Sequence, residues 1–297
     1  YTSPHTLSLH DALPISRAGM SAALSAFLSG EQAPGLNMGQ PVKNARLVFV
    51  FSGQGPQWWA MGRELLEQEP VFREIIQTCH DELLKLGGCS LLDELRRDEK
   101  TTRLNETQIA QTALFALQVG LAALWQSWGV CPYAVVGHSM GEVAAAHVCG
   151  ALSLPEAVRV IHHRGRCMEK TPLRGKMIAA ALTREEAEAL IAPYGERASL
   201  AAVNGPKMVS ISGDSDAVDE IFHEVEKRAL FVRYVPVNYA FHSAHMNPVR
   251  EELAESLAGL QPQTGSVKIF STVTGKLAEG TDYDAEYWWR NVRQIVL

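Results

Sequence analysis

The residues best placed to do chemistry are Gly137-His138-Ser139-Met140-Gly141. They follow the apolar stretch Tyr133 to Val136 and lead into Glu142-Val143-Ala144-Ala145-Ala146. A strand that turns sharply into a helix is the setting of a nucleophile elbow, where the G-x-S-x-G pattern raises the serine above the sheet. Ser139 then stands at a helix N-terminus, whose free N–H groups can hold an oxyanion. The chemistry offered is nucleophilic acyl transfer through an ester on the serine. The same pattern also suits a plain strand-to-helix turn whose glycines serve packing alone.

A serine hydroxyl needs a base, and histidine is the usual one at neutral pH. Ten histidines compete. His138 adjoins the serine on a sharp turn, where neighbours point apart, whereas His147, His162 and His163 fall on helices. His242 lies in a loop just after the chain returns from a strand, at the expected C-terminal edge of the sheet. That position fits either a base or an exposed loop histidine. Arg164 falls on the second helix beyond the elbow, as a solvated helix charge or folded back over the serine. In the second case its planar guanidinium would pair with a substrate carboxylate.

These side chains need a scaffold, and the chain can build one. Of its 297 residues 46% are hydrophobic and 20% charged, which predicts a sizeable core and one large α/β domain carrying a smaller one. A net charge of -6 argues against nucleic acid as partner, and no apolar run reads as long enough to span a membrane. The five scattered cysteines form no C-x-x-C pair, so they fit a reducing cytosol and neither a disulfide framework nor a metal site.

Residues 1–16 lack periodicity and are set aside as a non-native leader; they lack the basic start of a signal peptide. Residues 17–45 read as a short helix, Ala18 to Leu28, and a Pro/Gly-rich linker. Arg46 to Phe51 is a continuous apolar run, predicted as a strand buried on both faces. The glycine-rich turn Ser52-Gly53-Gln54-Gly55 after it is where a parallel sheet binds ligands, and it lacks the ending of a phosphate loop. Helices are expected over Met61 to Leu86, interrupted near Pro70, Ile109 to Trp128, and Leu154 to Lys170. From residue 175 to 236 the order becomes βαββαβ, a ferredoxin-like insertion, with Asn204-Gly205 favouring its hairpin. A helix from Pro248 to Leu260 and a strand from Val267 to Ser271 follow. The expected fold class is thus an α/β-hydrolase-like large domain with a parallel sheet, over 46–174 and 237–297, plus the small domain at 175–236.

Four stretches together resemble an acyltransferase family: Phe49 to Trp58, Gly137 to Glu142, His163-Arg164-Gly165, and Tyr239-Ala240-Phe241-His242-Ser243. Their order and spacing are similar to the acyltransferase domain of modular type I polyketide synthases and to malonyl-CoA:acyl carrier protein transacylases, from about Arg46 onward. The resemblance implies that Ser139 carries the acyl group and His242 is its base. It also implies an oxyanion hole from the backbone N–H groups of Gln54 and Met140. Arg164 is implied to hold a malonyl carboxylate, with Gln111, Tyr239 and Phe241 lining the pocket. A main-chain carbonyl, expected from Asn291, would orient the imidazole. No bound cofactor is implied. Acyl-CoA is the substrate, malonyl-CoA or methylmalonyl-CoA, and a phosphopantetheinylated acyl carrier protein the acceptor, beside a ketosynthase of the same cytoplasmic synthase.

Two features depart from the family's pattern. H-A-F-H goes with malonyl and Y-A-S-H with methylmalonyl, whereas Tyr239 to His242 reads Y-A-F-H; the bulk of Phe241 favours malonyl. The family also continues past Leu297, so the acyltransferase domain is expected to be C-terminally truncated, and Arg17 to Asn44 resembles the linker between a ketosynthase and an acyltransferase, which implies a piece cut from a multidomain chain. Two other readings stay open at this stage. One is an α/β-hydrolase esterase with Asp214 or Asp216 as acid; the other is an inactive docking module.

Overall fold

The computed structural model describes residues 17–31, 45–237 and 239–297. The expected leader, most of the expected linker and Asn238 lie outside these. The chain divides into two units, the first ending at Ala45 and the second spanning Arg46–Leu297. In the first, α1 (Arg17–Ser29) is a helix whose apolar side chains Leu24 and Phe27 are exposed.

In the second unit the site rests on a mixed four-stranded sheet. Its strands are β1 (Val48–Phe51), β2 (Ala134–Gly137), β7 (Lys268–Ser271) and β8 (Lys276–Ala278), in the order β1-β2-β7-β8. The first three run parallel, with Phe51 level with Gly137, and β8 turns back antiparallel. The sheet is therefore not purely parallel. Nor is β1 buried on both faces: Val48 and Val50 are exposed, Val50 by 73%. The pleat sends Phe51 into the core and Val50 the other way, and β1 is the sheet's edge, so its apolar run carries no information about cover on its second face.

Around the sheet pack α2 (Arg63–Gln68), α3 (Pro70–Lys85), α4 (Leu91–Arg96), α5 (Thr107–Ser127), α6 (Gly141–Val148) and α7 (Leu154–Lys170). Pro70 in the first turn of α3 separates α2 from it, because a proline there lacks only an N–H that would be unpaired anyway. The 21-residue α5 is long and apolar enough to cross a membrane, contrary to the expectation from sequence. It lies largely buried against α3, α6 and α7 as the central helix of the core. The tight cap of α7 comes from Ser153 and Glu156, which satisfy each other's backbone N–H.

The second sheet is antiparallel, built from β3 (Lys176–Ala180), β4 (Ala198–Gly205), β5 (Met208–Gly213) and β6 (Val232–Tyr234) in the order β4-β5-β3-β6. Its helices α8 (Arg184–Ile191) and α9 (Ser215–Lys227) cover a separate small core of Ile178, Val209, Ile211, Val218, Ile221 and Val225. The hairpin closes two residues later than an Asn204-Gly205 turn would place it. Gly205 pairs with Met208, so Pro206-Lys207 forms the loop and Asn204 stays in the strand. Proline presets the φ that a turn needs at its first central position, and this outweighs the Asn-Gly signal. The chain ends with α10 (Arg250–Ser256) and α11 (Ala285–Arg293), and Val296 exchanges backbone bonds of 2.8 and 2.9 Å with Val203 and Ala201.

The elbow shows why its composition is narrow. A Cβ on Gly141 would lie 2.3 Å from the Phe51 carbonyl oxygen, where α6 crosses β1, and one on Gly137 would meet Gly141 at the same distance. Backbone atoms cannot yield as a side chain would. Replacing Gly141 by Ala should destabilise the fold by about 3 kcal/mol, through overpacking against backbone. Gly205→Ala, with open space at its Cβ, should stay within about 0.5 kcal/mol. Urea unfolding of the two variants checks the contrast, and similar midpoints would contradict it.

Candidate active site

Ser139 sits on the turn between β2 and α6 with φ at +52°, a left-handed conformation that is costly for a non-glycine residue and recurs at functional sites. The turn is held by the His138 N–H on the Phe51 carbonyl at 2.8 Å and by the Gly141 N–H on the His138 carbonyl at 2.9 Å. His242, in the loop before the turn Ala244–Val249, also has a positive φ, at +58°. Its Nε2 lies 2.8 Å from Ser139 Oγ.

The partner on the other ring nitrogen fixes the proton. His242 Nδ1 lies 2.9 Å from the Gln294 carbonyl oxygen, which only accepts, so Nδ1 carries the hydrogen and Nε2 is free to accept from the serine. The orienting carbonyl therefore belongs to Gln294 and not to Asn291. A backbone group has no side-chain signature, so no residue type marked it in the sequence. Asn291 does something else: its Nδ2 donates to the Ser139 carbonyl and to Glu142 Oε2, and its Oδ1 accepts from Arg164 Nε.

Arg164 is 1% exposed and is no solvated helix charge. Its NH2 group donates to Ser139 Oγ at 2.9 Å and its NH1 group to Gln111 Oε1 at 2.8 Å. Ser139 Oγ thus accepts from a guanidinium while it donates to an imidazole. Burial lowers the pKa of Arg164 to about 9, and the charge of Glu142 opposes that fall. Glu142, fully buried, is held by Thr272, Tyr283, Tyr287 and Asn291. Burial raises its pKa against the pull of those donors.

The remaining expected residues divide. Gln111 Nε2 reaches Gln54 Oε1 at 3.3 Å, which joins α5 to the turn after β1. The backbone N–H groups of Gln54 and Met140 donate to no acceptor among the described residues, as an oxyanion hole requires. A cavity of about 70 Å³ opens on Ser139 and His242, lined by Gln54, Phe241, Met177, Ala202 and Val237 among others. Tyr239 is not part of it. Its hydroxyl donates to the Glu169 carbonyl, its ring stacks on Phe241, and it faces an adjoining groove of about 910 Å³ beside Arg174, which shares Val235 and Val237 with the cavity. The larger space lies away from the serine, so size does not locate the chemistry. Met177, Ala202 and Val237 escaped the sequence reading because small apolar residues look alike in core and pocket. Asp214 bonds His245 and Arg197, and Asp216 bonds Arg197, so neither supplies an acid to His242.

An α/β fold, a serine raised on an elbow and a histidine on its hydroxyl suit acyl-group chemistry through a seryl ester, which esterases and acyltransferases share. The chain belongs to the acyl transferase domain family, whose pattern it matches over residues 48–297. Among polyketide synthases, it is 42% identical over 281 residues to spectinabilin polyketide synthase system protein NorA' of Streptomyces orinoci, covering 94% of this chain and 8% of that protein. It is 41% identical over 271 residues to mycoketide-CoA synthase of Mycobacterium tuberculosis, covering 91% and 6%. The chain thus spans under a tenth of these relatives. Its structure matches the acyltransferase domain from module 8 of the salinomycin polyketide synthase with a TM-score of 0.88 at 41% identity, covering 95% of this chain and 67% of that one. The malonyl CoA-acyl carrier protein transacylase of Coxiella burnetii follows at 0.78 and 27%, covering 86% and 82%.

The charge environment of His242 gives a test that needs no natural substrate. Burial first, then the charges of Arg164 and His138, lower its pKa from 6.5 to about 3. A base with a depressed pKa stays neutral as pH falls through 6.5 and is lost only near its own value. The rate at which a sulfonyl fluoride modifies Ser139 should therefore stay level from pH 8 to about pH 5. An inflection near 6.5, read by intact mass, would mean an imidazole in contact with water.

Proposed function

We propose that this domain loads an extender unit, malonyl foremost, from CoA onto the phosphopantetheine thiol of an acyl carrier protein during polyketide assembly. The observation that carries the reading is Arg164, a buried cation one hydrogen bond from the nucleophile. A guanidinium at this depth suits an acyl group that ends in a carboxylate, which it can bind through paired N–H donors.

The steps follow from the geometry. Ser139 passes its proton to His242 Nε2 as Oγ attacks the thioester carbon. The oxyanion that forms lies on the N–H groups of Gln54 and Met140. Collapse breaks the C–S bond, and the imidazolium returns the proton to the departing thiolate of CoA. The carrier's thiol then gives its proton to His242 and attacks the seryl ester, and the proton ends on Ser139. The Gln294 carbonyl steadies the imidazolium through Nδ1–H, so no carboxylate is required.

Phe241 in the wall of the 70 Å³ cavity favours malonyl over methylmalonyl. The margin is modest, since one methyl group in a pocket is worth about 1 to 3 kcal/mol. Tyr239, turned toward Glu169, takes no direct part in that choice. We further read the large sheet with its elbow as hydrolase-like and the order β4-β5-β3-β6 as ferredoxin-like. The working context is a cytoplasmic synthase with an adjacent ketosynthase. The esterase reading lacks an acid, and a docking module has no use for an intact serine, histidine and arginine.

Intact mass after brief incubation with malonyl-CoA, methylmalonyl-CoA or acetyl-CoA tests the assignment. A malonyl adduct is expected that disappears in Ser139→Ala. Arg164→Ala should cut malonyl loading about 100-fold or more, because the substrate carboxylate loses its partner in a buried site, while acetyl loading falls less. An equal loss for both acyl groups would refute the carboxylate role.

A further inference from the structure

His138 and Asn204 are used by none of these steps, yet they meet across the cavity mouth. His138 Nε2 lies 3.0 Å from Asn204 Oδ1. Asn204 Nδ2 donates to Ser210 Oγ at 3.1 Å, which leaves Oδ1 as the acceptor and places the His138 proton on Nε2. The imidazole also lies against the turn after β1: a Cβ on Gly53 would come within 2.8 Å of His138 Nδ1. One ring thus touches three parts of the site: the elbow it belongs to, the turn that presents the Gln54 N–H, and the hairpin of the small sheet.

The position of the contact matters as much as its geometry. Ser139, His138, Gln54, Phe241 and His242 form one wall of the cavity, and Met177, Ala201, Ala202 and Ser210 come from the small sheet. Elsewhere the two walls are joined deeper, by Ser212 Oγ on the Phe241 carbonyl at 2.7 Å and by the backbone bonds of Val296. Asn204 is exposed, so its bond to His138 stands at the rim, where water would enter. Burial and the charge of Arg164 keep His138 below the usual imidazole range, so at neutral pH it has one proton and it is committed to Asn204.

We propose that the His138–Asn204 hydrogen bond is a clasp that holds the small sheet over Ser139 and keeps water from the acyl ester between loading and transfer. His138 and Asn204 are positioning residues, acting through the fit of the two walls and of the Gln54 turn. Excluding water is what separates a transferase from a hydrolase built on the same serine. The inference rests on the seryl-ester reading.

The test loads Ser139 from malonyl-CoA, removes excess substrate, and follows loss of the acyl mass in buffer and in the presence of pantetheine. The readout is the ratio of hydrolysis to thiol transfer, normalised to the ester formed. Asn204→Leu should raise that ratio about two- to ten-fold, the range one hydrogen bond of this type controls. Asn204→Asp keeps an acceptor for Nε2–H and should restore it. Ser210→Ala frees the Asn204 amide to rotate and should raise it to a smaller degree; if Asn204→Leu does not fold, this variant decides. An unchanged ratio in Asn204→Leu, or an Asp variant as leaky as the Leu variant, would overturn the clasp. Absence of any malonyl ester on the unaltered chain would overturn the seryl-ester reading itself.

Discussion

A guanidinium buried beneath a serine is the constraint on which the other parts of this site depend. An unpaired charge at that depth would cost several kcal/mol, so each part of Arg164 must find an acceptor. Nε takes Asn291, NH1 takes Gln111 and NH2 takes Ser139 itself. These acceptors come from α11, α5 and the elbow, so packing the arginine brings three distant stretches to one point. Its formal counter-charge is Glu142, one turn beyond the nucleophile and linked to it through Asn291. The arginine thus organises the pocket through hydrogen bonds of its own.

The same charge shapes the histidine. His242 is lowered by burial and then by Arg164, while the Gln294 carbonyl pulls the other way. The outcome is a neutral ring whose tautomer is set by backbone and whose free nitrogen faces the serine. Arg164 also donates to Ser139 Oγ, which favours the alkoxide character that develops as the proton leaves. Two strained backbones, at Ser139 and His242, hold the reacting atoms at 2.8 Å. At Ser139 the strain is held by the packing of Gly141 on Phe51 that fixes the elbow.

What the sequence disclosed follows from how local each signal is. The elbow was legible because its sterics involve five consecutive residues, and α7 because Pro155 suits a helix's first turn. Arg164 and His242 were candidates by position, but only the resemblance chose between their readings, since a helix arginine and a loop histidine look ordinary alone. The cover of β1 was illegible: whether Val50 faces protein or water depends on sheet order and not on the run Val48 to Phe51. Gln294 acts through a carbonyl that every residue has. Tyr239 belongs to a recognisable motif, but its hydroxyl found the Glu169 carbonyl, a partner some 70 residues away. The hairpin slipped by two residues because Pro206 constrains φ more strongly than Asn204-Gly205 invites a turn. That slip is what puts Asn204 on a strand, within reach of His138.

The division into two cores has a mechanical consequence. The cavity on Ser139 holds about 70 Å³, close to the volume of two or three waters in the liquid. That is little space, so on the proposed function the thiol-bearing arm would lie at the mouth. One wall belongs to the large sheet, whose elbow tolerates no displacement because backbone meets backbone there. The other belongs to a sheet with its own core of Ile178, Ile211 and Val218, while its cavity-facing Met177 and Ala201 pack into the large core. The proposed transfer, which must admit thiols and refuse water, is thus served by one fixed wall and one wall that joins a core of its own to the larger core.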